Sequence, residues 1–301
     1  MSNERSTAEP RGRRGLEATL WIVAVVLMLT AAVYQRLTGP THPTRGRFEV
    51  AGQAYRYRLK RSDYSIRDAR IAVPHPAVGV SGALHYKRFR TDDEYTAVPL
   101  EIENGELVGQ LPAQPAAGKL EYFITLDTPQ GQLRIPESPE NVIIRFKDEV
   151  PLYILIPHVA CMFFAVLIGV RTGMAALFAP RNMRRLAWVT LGIMTIGGMI
   201  LGPIVQKYAF GAFWTGFPFG YDLTDNKVLI MWVLWLVACA LIGFKPKEDE
   251  RISRQVVAVA ALVMMVVYII PHSAQGSELD YEALDRGVPA SEAIRTGGQR
   301  N

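Results

Sequence analysis

The stretch GPIVQKYAFGAFWTGFPFGYDLTDNK, residues 202–227, decides how the rest of the chain is read. It carries seven aromatic side chains, Tyr208, Phe210, Phe213, Trp214, Phe217, Phe219 and Tyr221, and then a charged exit at Asp222, Asp225 and Lys227. Flat amphipathic rings gathered beside charge are the chemistry of a membrane–water interface, where such rings settle at headgroup depth. The stretch is too polar and too rich in glycine and proline to continue its apolar neighbours as helix. Those neighbours are residues 151–170, 186–205, 228–244 and 255–270, each 16 to 20 residues long. About 20 apolar residues cross the ~30 Å hydrocarbon core of a bilayer. The aromatic stretch therefore reads as the lid of a four-helix transmembrane bundle spanning 150–272, with up-and-down topology because the connections are short.

Further outward, toward the N-terminus, a fifth apolar run (LEATLWIVAVVLMLTAAVY, residues 16–34) follows Arg11, Arg13 and Arg14. A basic head before an apolar run fits a cleaved signal peptide or a retained anchor. The run is longer than the ~7–15 residues of a signal core and no small-x-small cleavage site follows, which favours a transmembrane anchor at 16–35 behind a cytoplasmic tail, 1–15. Basic residues occupy alternate connections: Arg11, Arg13 and Arg14, then Arg171, Arg181, Arg184 and Arg185, then Lys245, Lys247, Arg251 and Arg254. The positive-inside rule places that side in the cytoplasm. Residues 47–149, the aromatic lid and the tail 273–301 are then expected outside, which in a bacterium with this protein in its inner membrane is the periplasm. The tail is polar and reads as disordered. The net charge of +5 is accounted for by these helix-flanking residues and gives no reason to propose nucleic acid. Cys161 and Cys239 both fall in apolar segments, so a disulfide framework is not expected.

After the linker 36–46 the pattern changes to period two. Tyr55, Tyr57 and Leu59 alternate with Arg56, Arg58 and Lys60, and the same alternation recurs at Val98, Leu100 and Ile102, at Leu120–Leu126 and at Val142, Ile144 and Phe146. Strict alternation means one buried face and one wet face. Asn104-Gly105 is a strong hairpin turn and 128–131 is another. About seven short strands at this spacing imply an all-β sandwich over 47–149.

The segment GELVGQLPAQPAAGKLEYFITLDTPQG, residues 105–131, resembles the later strands of bacterial fibronectin-type-III and immunoglobulin-like modules. That resemblance implies a sandwich that binds a partner or acts as a spacer. Residues 150–281 resemble a family of uncharacterised bacterial inner-membrane proteins, the resemblance being carried by 202–227 and by YIIPHSAQGSELDY at 268–281. It implies a fibronectin-like extracytoplasmic domain before four membrane helices, and a single shared surface made by the outer loop and the His272 region.

The candidate sites are few. Ile156-Pro157-His158 and Ile270-Pro271-His272 repeat one tripeptide near the outer leaflet. Intramembrane histidines usually face a bundle interior. Two facing imidazoles could ligate a haem b, although His158 lies about 10 Å deep at 1.5 Å per residue while His272 sits at the interface. His158, Cys161 and Met162 share a helix face, a soft set that suits copper. Against both stands the plainer reading of two interfacial histidines and no cofactor. Asp222, Asp225 and Lys227 could line the mouth of a small ion or proton transporter, or simply cap the next helix, with Thr224 or Asp225 at its N-cap. Lys207 could pair with either acid or reach to water, and Trp214 completes the outer loop surface. No nucleophile–base constellation or phosphate loop stands out. A non-catalytic accessory or scaffold subunit, presenting its sandwich and aromatic loop to a periplasmic or membrane protein partner, is the expectation, with the lipid bilayer as its medium.

Overall fold

In a computed structural model of the chain, the described residues are 11–76, 79–178, 182–271 and 276–296, with the side chains of 11–13 and 296 outside the description. The chain divides into two compact units, each assembled from three separate segments.

The first unit comprises Met1–Leu37, Leu152–Ile204 and Asp225–Pro271 and is helical. Among the described residues, five helices are long and apolar enough to cross a membrane. They are α1 (Arg11–Thr38), α2 (Leu152–Phe178), the continuous run from α3 (Met183–Met194) through a π-helical turn (Thr195–Leu201) into α4 (Gly202–Phe210), then α5 (Leu223–Ile242) and α6 (Arg251–Ile269). The expected split into a separate anchor and a four-helix bundle does not describe this unit. Ala24 and Ala31 of α1, one heptad apart, belong to the same buried cluster as Val166, Trp235 and Met264, so α1 is a fifth packed helix. Small side chains on one stripe let backbones approach where lipid supplies no hydrophobic drive.

Polar groups at the helix ends follow the same economy. Arg254 donates to Ala176 O at 2.6 Å and Leu177 O at 2.8 Å, satisfying carbonyls in the last turn of α2. Arg184 holds Glu250 through two bonds of 2.6 and 3.0 Å and also reaches Ile242 O at the end of α5. Arg171, expected on a connection, lies inside α2 instead and is 1% exposed. It pairs with Glu17 of α1 and lies over the Trp21 ring at 5.5 Å. That pairing lets the helix run past the charge to Phe178.

The second unit comprises Thr38–Pro151, Val205–Thr224 and His272–Asn301. Its body is β-sandwich-like. One sheet has the order β3 (Ser62–Tyr64), β11 (Val142–Lys147), β9 (Lys119–Thr128), β5 (Ser81–Arg88) and β6 (Thr96–Pro99), with β10 (Gly131–Ile135) also paired to β9. A second sheet joins β4 (Ala69–Pro74), β8 (Glu106–Leu111) and β7 (Glu101–Glu103), and a ribbon pairs β1 (Thr44–Val50) with β2 (Gln53–Leu59). The alternating apolar positions meet in one core that includes Leu59, Ile71, Leu84, Tyr122, Ile124 and Phe146. Each such side chain contributes about 1.5–3 kcal/mol on burial. The Tyr122 hydroxyl is satisfied by Lys60 O at 2.7 Å. Asn104 and Gly105 take φ of 50° and 80° in the two-residue β7–β8 turn, the left-handed pair such a hairpin needs. The alternation read at Val98–Ile102 is two strands, not one. Pro99 closes β6, Leu100 turns inward with its N–H on Gly82 O at 2.9 Å, and β7 continues in the other sheet.

Two expectations are corrected in this unit. Residues 202–210 are helical: they continue the run from α3, with Pro203 following directly on the π-helical turn, as far as Phe210. Gly211, at φ 83°, ends it with its N–H on Lys207 O at 2.9 Å. The tail is folded rather than disordered over 276–296. β12 (Ser277–Leu279) pairs with β13 (Ile294–Thr296), and α7 (Tyr281–Asp285) is capped by Asp280, which accepts the Ala283 N–H at 3.2 Å. Leu279, Tyr281, Ala283 and Ala293 form a small core of their own.

Candidate functional site

Three segments of the second unit converge on a buried polar cluster: strand β11, the aromatic loop after α4, and strand β12 of the tail. The loop first closes on itself. Phe219 and Gly220 donate to Gly216 O at 2.9 Å each, Asp222 N–H reaches Thr215 O at 3.0 Å, and Trp214 Nε1 donates to Phe217 O at 3.0 Å. Such self-satisfied loops hold a fixed shape. Asp222, 5% exposed, then anchors the loop. Its Oδ1 accepts the Thr224 N–H at 2.8 Å, making Asp222 itself the N-cap of α5 in place of Thr224 or Asp225. Its Oδ2 accepts both the N–H and the hydroxyl of Ser277, at 3.0 and 3.2 Å. Thr215 Oγ1 lies 3.3 Å from Ser277 Oγ and accepts from Gln206.

Arg145 enters from β11. Its guanidinium donates to Ser277 O at 2.9 Å and stacks over Phe210 at 4.0 Å, while its Nε has no hydrogen-bond partner among the described residues. Burial lowers its pKa from the usual arginine range to about 10, opposed in part by the negative charges of Asp222 and Glu278. Glu278, next along the tail, accepts from Lys119 at 2.6 Å and Arg90 at 2.9 Å. Burial pulls the Lys119 amine downward, and the Glu278 carboxylate resists it. The Tyr281 hydroxyl accepts the Lys119 N–H at 3.0 Å and lies 3.0 Å from Gln114 Oε1. Loop, tail and sandwich are thus tied by charge-assisted bonds, of which those between Asp222 and Ser277 are buried, where such bonds are strongest.

On this frame the loop rings point outward. Phe213, Phe217, Phe219 and Tyr221 are 58%, 65%, 78% and 62% exposed. Lys207 turns back to its own helix end, donating to Gly211 O at 2.6 Å over the Phe213 ring, and pairs with neither acid.

The other expected residues lie in the first unit. Asp225 and Lys227 are buried, and the Lys227 amine donates to Ile270 O at the end of α6. Asp222 and Lys227 thus spend their polar atoms on different partners. His158 Nδ1 lies 2.9 Å from Gly197 O in the π-helical turn. A carbonyl only accepts, so Nδ1 carries a proton, and in the neutral ring Nε2 keeps its lone pair. A Cβ built on Gly197 would lie 2.6 Å from Cys161 Cβ, and one on Gly198 would lie 3.6 Å from Met162 Sδ, so all three residues of the expected soft set face the π-helical turn. His272 lies outside the described residues. Among the described residues, no group of three or more His, Cys, Asp and Glu stands together to hold a metal.

Arg145, Ser277, Thr215, Gln206 and Tyr281 were not singled out from the sequence. Arg145 occupies the wet position of an alternating strand, where an arginine carries no signal of burial. No protein-family model matches the chain, and no curated protein matches it either.

Proposed function

We propose that the protein is an integral inner-membrane accessory subunit whose β-rich unit, lying outside the cytoplasm, docks a partner protein through the aromatic loop. The observation that carries this reading is the contrast within residues 213–222. The rings of Phe217 and Phe219 are exposed, while the backbone beneath them is pinned by Asp222 and Ser277. Rigid, exposed aromatics supply large contact area at little ordering cost, which is the character of an interface hot spot.

A photo-crosslinking residue placed at Phe219, in membranes of the native host, tests it. The expected result is one discrete protein adduct that weakens at least fivefold with Asp222→Ala, which unseats the loop without removing a ring. Adducts to lipid alone, or a protein adduct indifferent to Asp222→Ala, would overturn the reading.

A second reading rests on His158, whose Nε2 lone pair is available because Gly197 O fixes the tautomer. Haem b or copper are the groups this donor suits. A Soret band, or stoichiometric copper in the purified protein, lost in His158→Ala would favour it.

A further inference from the structure

The β1–β2 ribbon carries its charges in an arrangement that works against its own stability. In the observed register Arg45 stands opposite Arg58 and Arg47 opposite Arg56. All four side chains are exposed on one face of the ribbon, and none has a carboxylate within 4.0 Å among the ion pairs of the described residues. Like charges directly opposed across an antiparallel pair are destabilising. The ribbon tolerates them because its other face, with Phe48, Val50, Tyr57 and Leu59, is buried in the sandwich core. Nearby acids are committed elsewhere or sit at the margin. Glu103 and Glu106 bind Arg70, Asp63 binds Lys60, and Glu49 lies beyond Arg47 opposite Ala54.

The same four arginines, with Lys60 and Arg70, line a cleft of about 770 Å³ whose one acidic lining residue is Glu106. A concavity of that size is in the range of small-ligand sites. Walls of one sign focus the field inside a cleft and concentrate the opposite ion. Guanidinium groups present forked N–H donors matched to phosphate oxygens, a chemistry that a row of lysines would not reproduce.

We propose that this cleft binds a phosphate-bearing polyanion, a group with two or more negative charges clamped by Arg45, Arg47, Arg56 and Arg58. Occupation supplies the counter-charge that the paired arginines lack. The phosphate belongs either to a lipid headgroup or to a soluble phosphate compound. The site is independent of the aromatic loop, and its failure leaves the docking proposal standing.

The test uses the full chain in nanodiscs of neutral phosphatidylcholine, titrated with inorganic pyrophosphate in one arm and with water-soluble dihexanoyl phosphatidic acid in the other. Thermophoresis reads the binding. Saturable binding is expected, weakened at least tenfold by Arg47→Gln/Arg56→Gln and by raised salt. Binding of pyrophosphate alone assigns the soluble source, and stronger binding of the lipid assigns the headgroup. Binding of neither probe, or equal binding by wild type and double variant, overturns the proposal. A second variant guards against a merely misfolded result. Arg47→Glu sets an acid opposite Arg56, so in phosphate-free buffer it is expected to raise the melting temperature while reducing affinity at least tenfold. A lowered melting temperature there removes the repulsion on which the argument stands.

Discussion

Asp222 shows at the scale of one side chain what reading a sequence reaches and what it misses. Its position before an apolar run, beside Thr224 and Asp225, marks a helix start, and the cap is there, two or three residues before the expected Thr224 or Asp225. Its other oxygen binds Ser277, which is 55 residues away, and nothing local announces that bond. Asp222→Ala removes three accepted bonds in a buried setting and leaves Arg145 less compensated, so a loss of about 2–4 kcal/mol is expected. Thermal melting would register it, and limited proteolysis should find residues 276–296 cut first. Arg88 offers a pH test. Its bonds to Asp93, at 2.6 and 2.9 Å, hold that carboxyl at about 2, and Arg88 also holds Asp285 of the tail at 2.8 Å. The unfolded chain takes up the Asp93 proton near its ordinary value of about 3.9. This contribution is therefore complete above about pH 4 and is lost as pH falls toward 2. Melting temperatures measured across that window should fall less steeply in Arg88→Gln than in wild type.

Among the elements, strands were the more legible because period two survives in isolation. The inward residues of β2, β9 and β11 sit where alternation places them. Helix ends were less legible. Arg171 reads as the edge of a span until Glu17, 154 residues earlier, is seen beside it. The π-helical turn Thr195–Leu201 has no sequence signature beyond its two glycines. Those glycines nevertheless differ measurably from Gly192 in the same run. A methyl on Gly197 would meet Cys161 Cβ at 2.6 Å, whereas one on Gly192 meets nothing within 4 Å. Gly197→Ala is expected to cost about 1–3 kcal/mol by forcing α2 away. Gly192→Ala is expected to gain up to about 1 kcal/mol from helix propensity. Paired melts in detergent check both signs at once.

For the whole molecule, composition alone separated apolar from soluble stretches, while the helical unit takes Leu152–Ile204 and Asp225–Pro271 and the β-rich unit takes Val205–Thr224 between them. What composition could not show is that each unit is discontinuous, since long-range bonds decide which loop joins which. The positive-inside pattern supplies the sidedness prediction. Alkaline phosphatase fused within residues 39–43 should be active, and a fusion within 245–249 should be inactive; the reverse pattern would remove the proposed outward face. The discontinuity of the β-rich unit carries a consequence for its manufacture. Ser277 and Tyr281, which cover Arg145 and Lys119, are translated more than a hundred residues after the strands they cover. A ribosome that has released β11 has made an incomplete object, whose guanidinium stays uncovered until the final span has been threaded. A fragment ending at residue 151 should accordingly be less soluble and quicker to be degraded than the same strands in the finished chain.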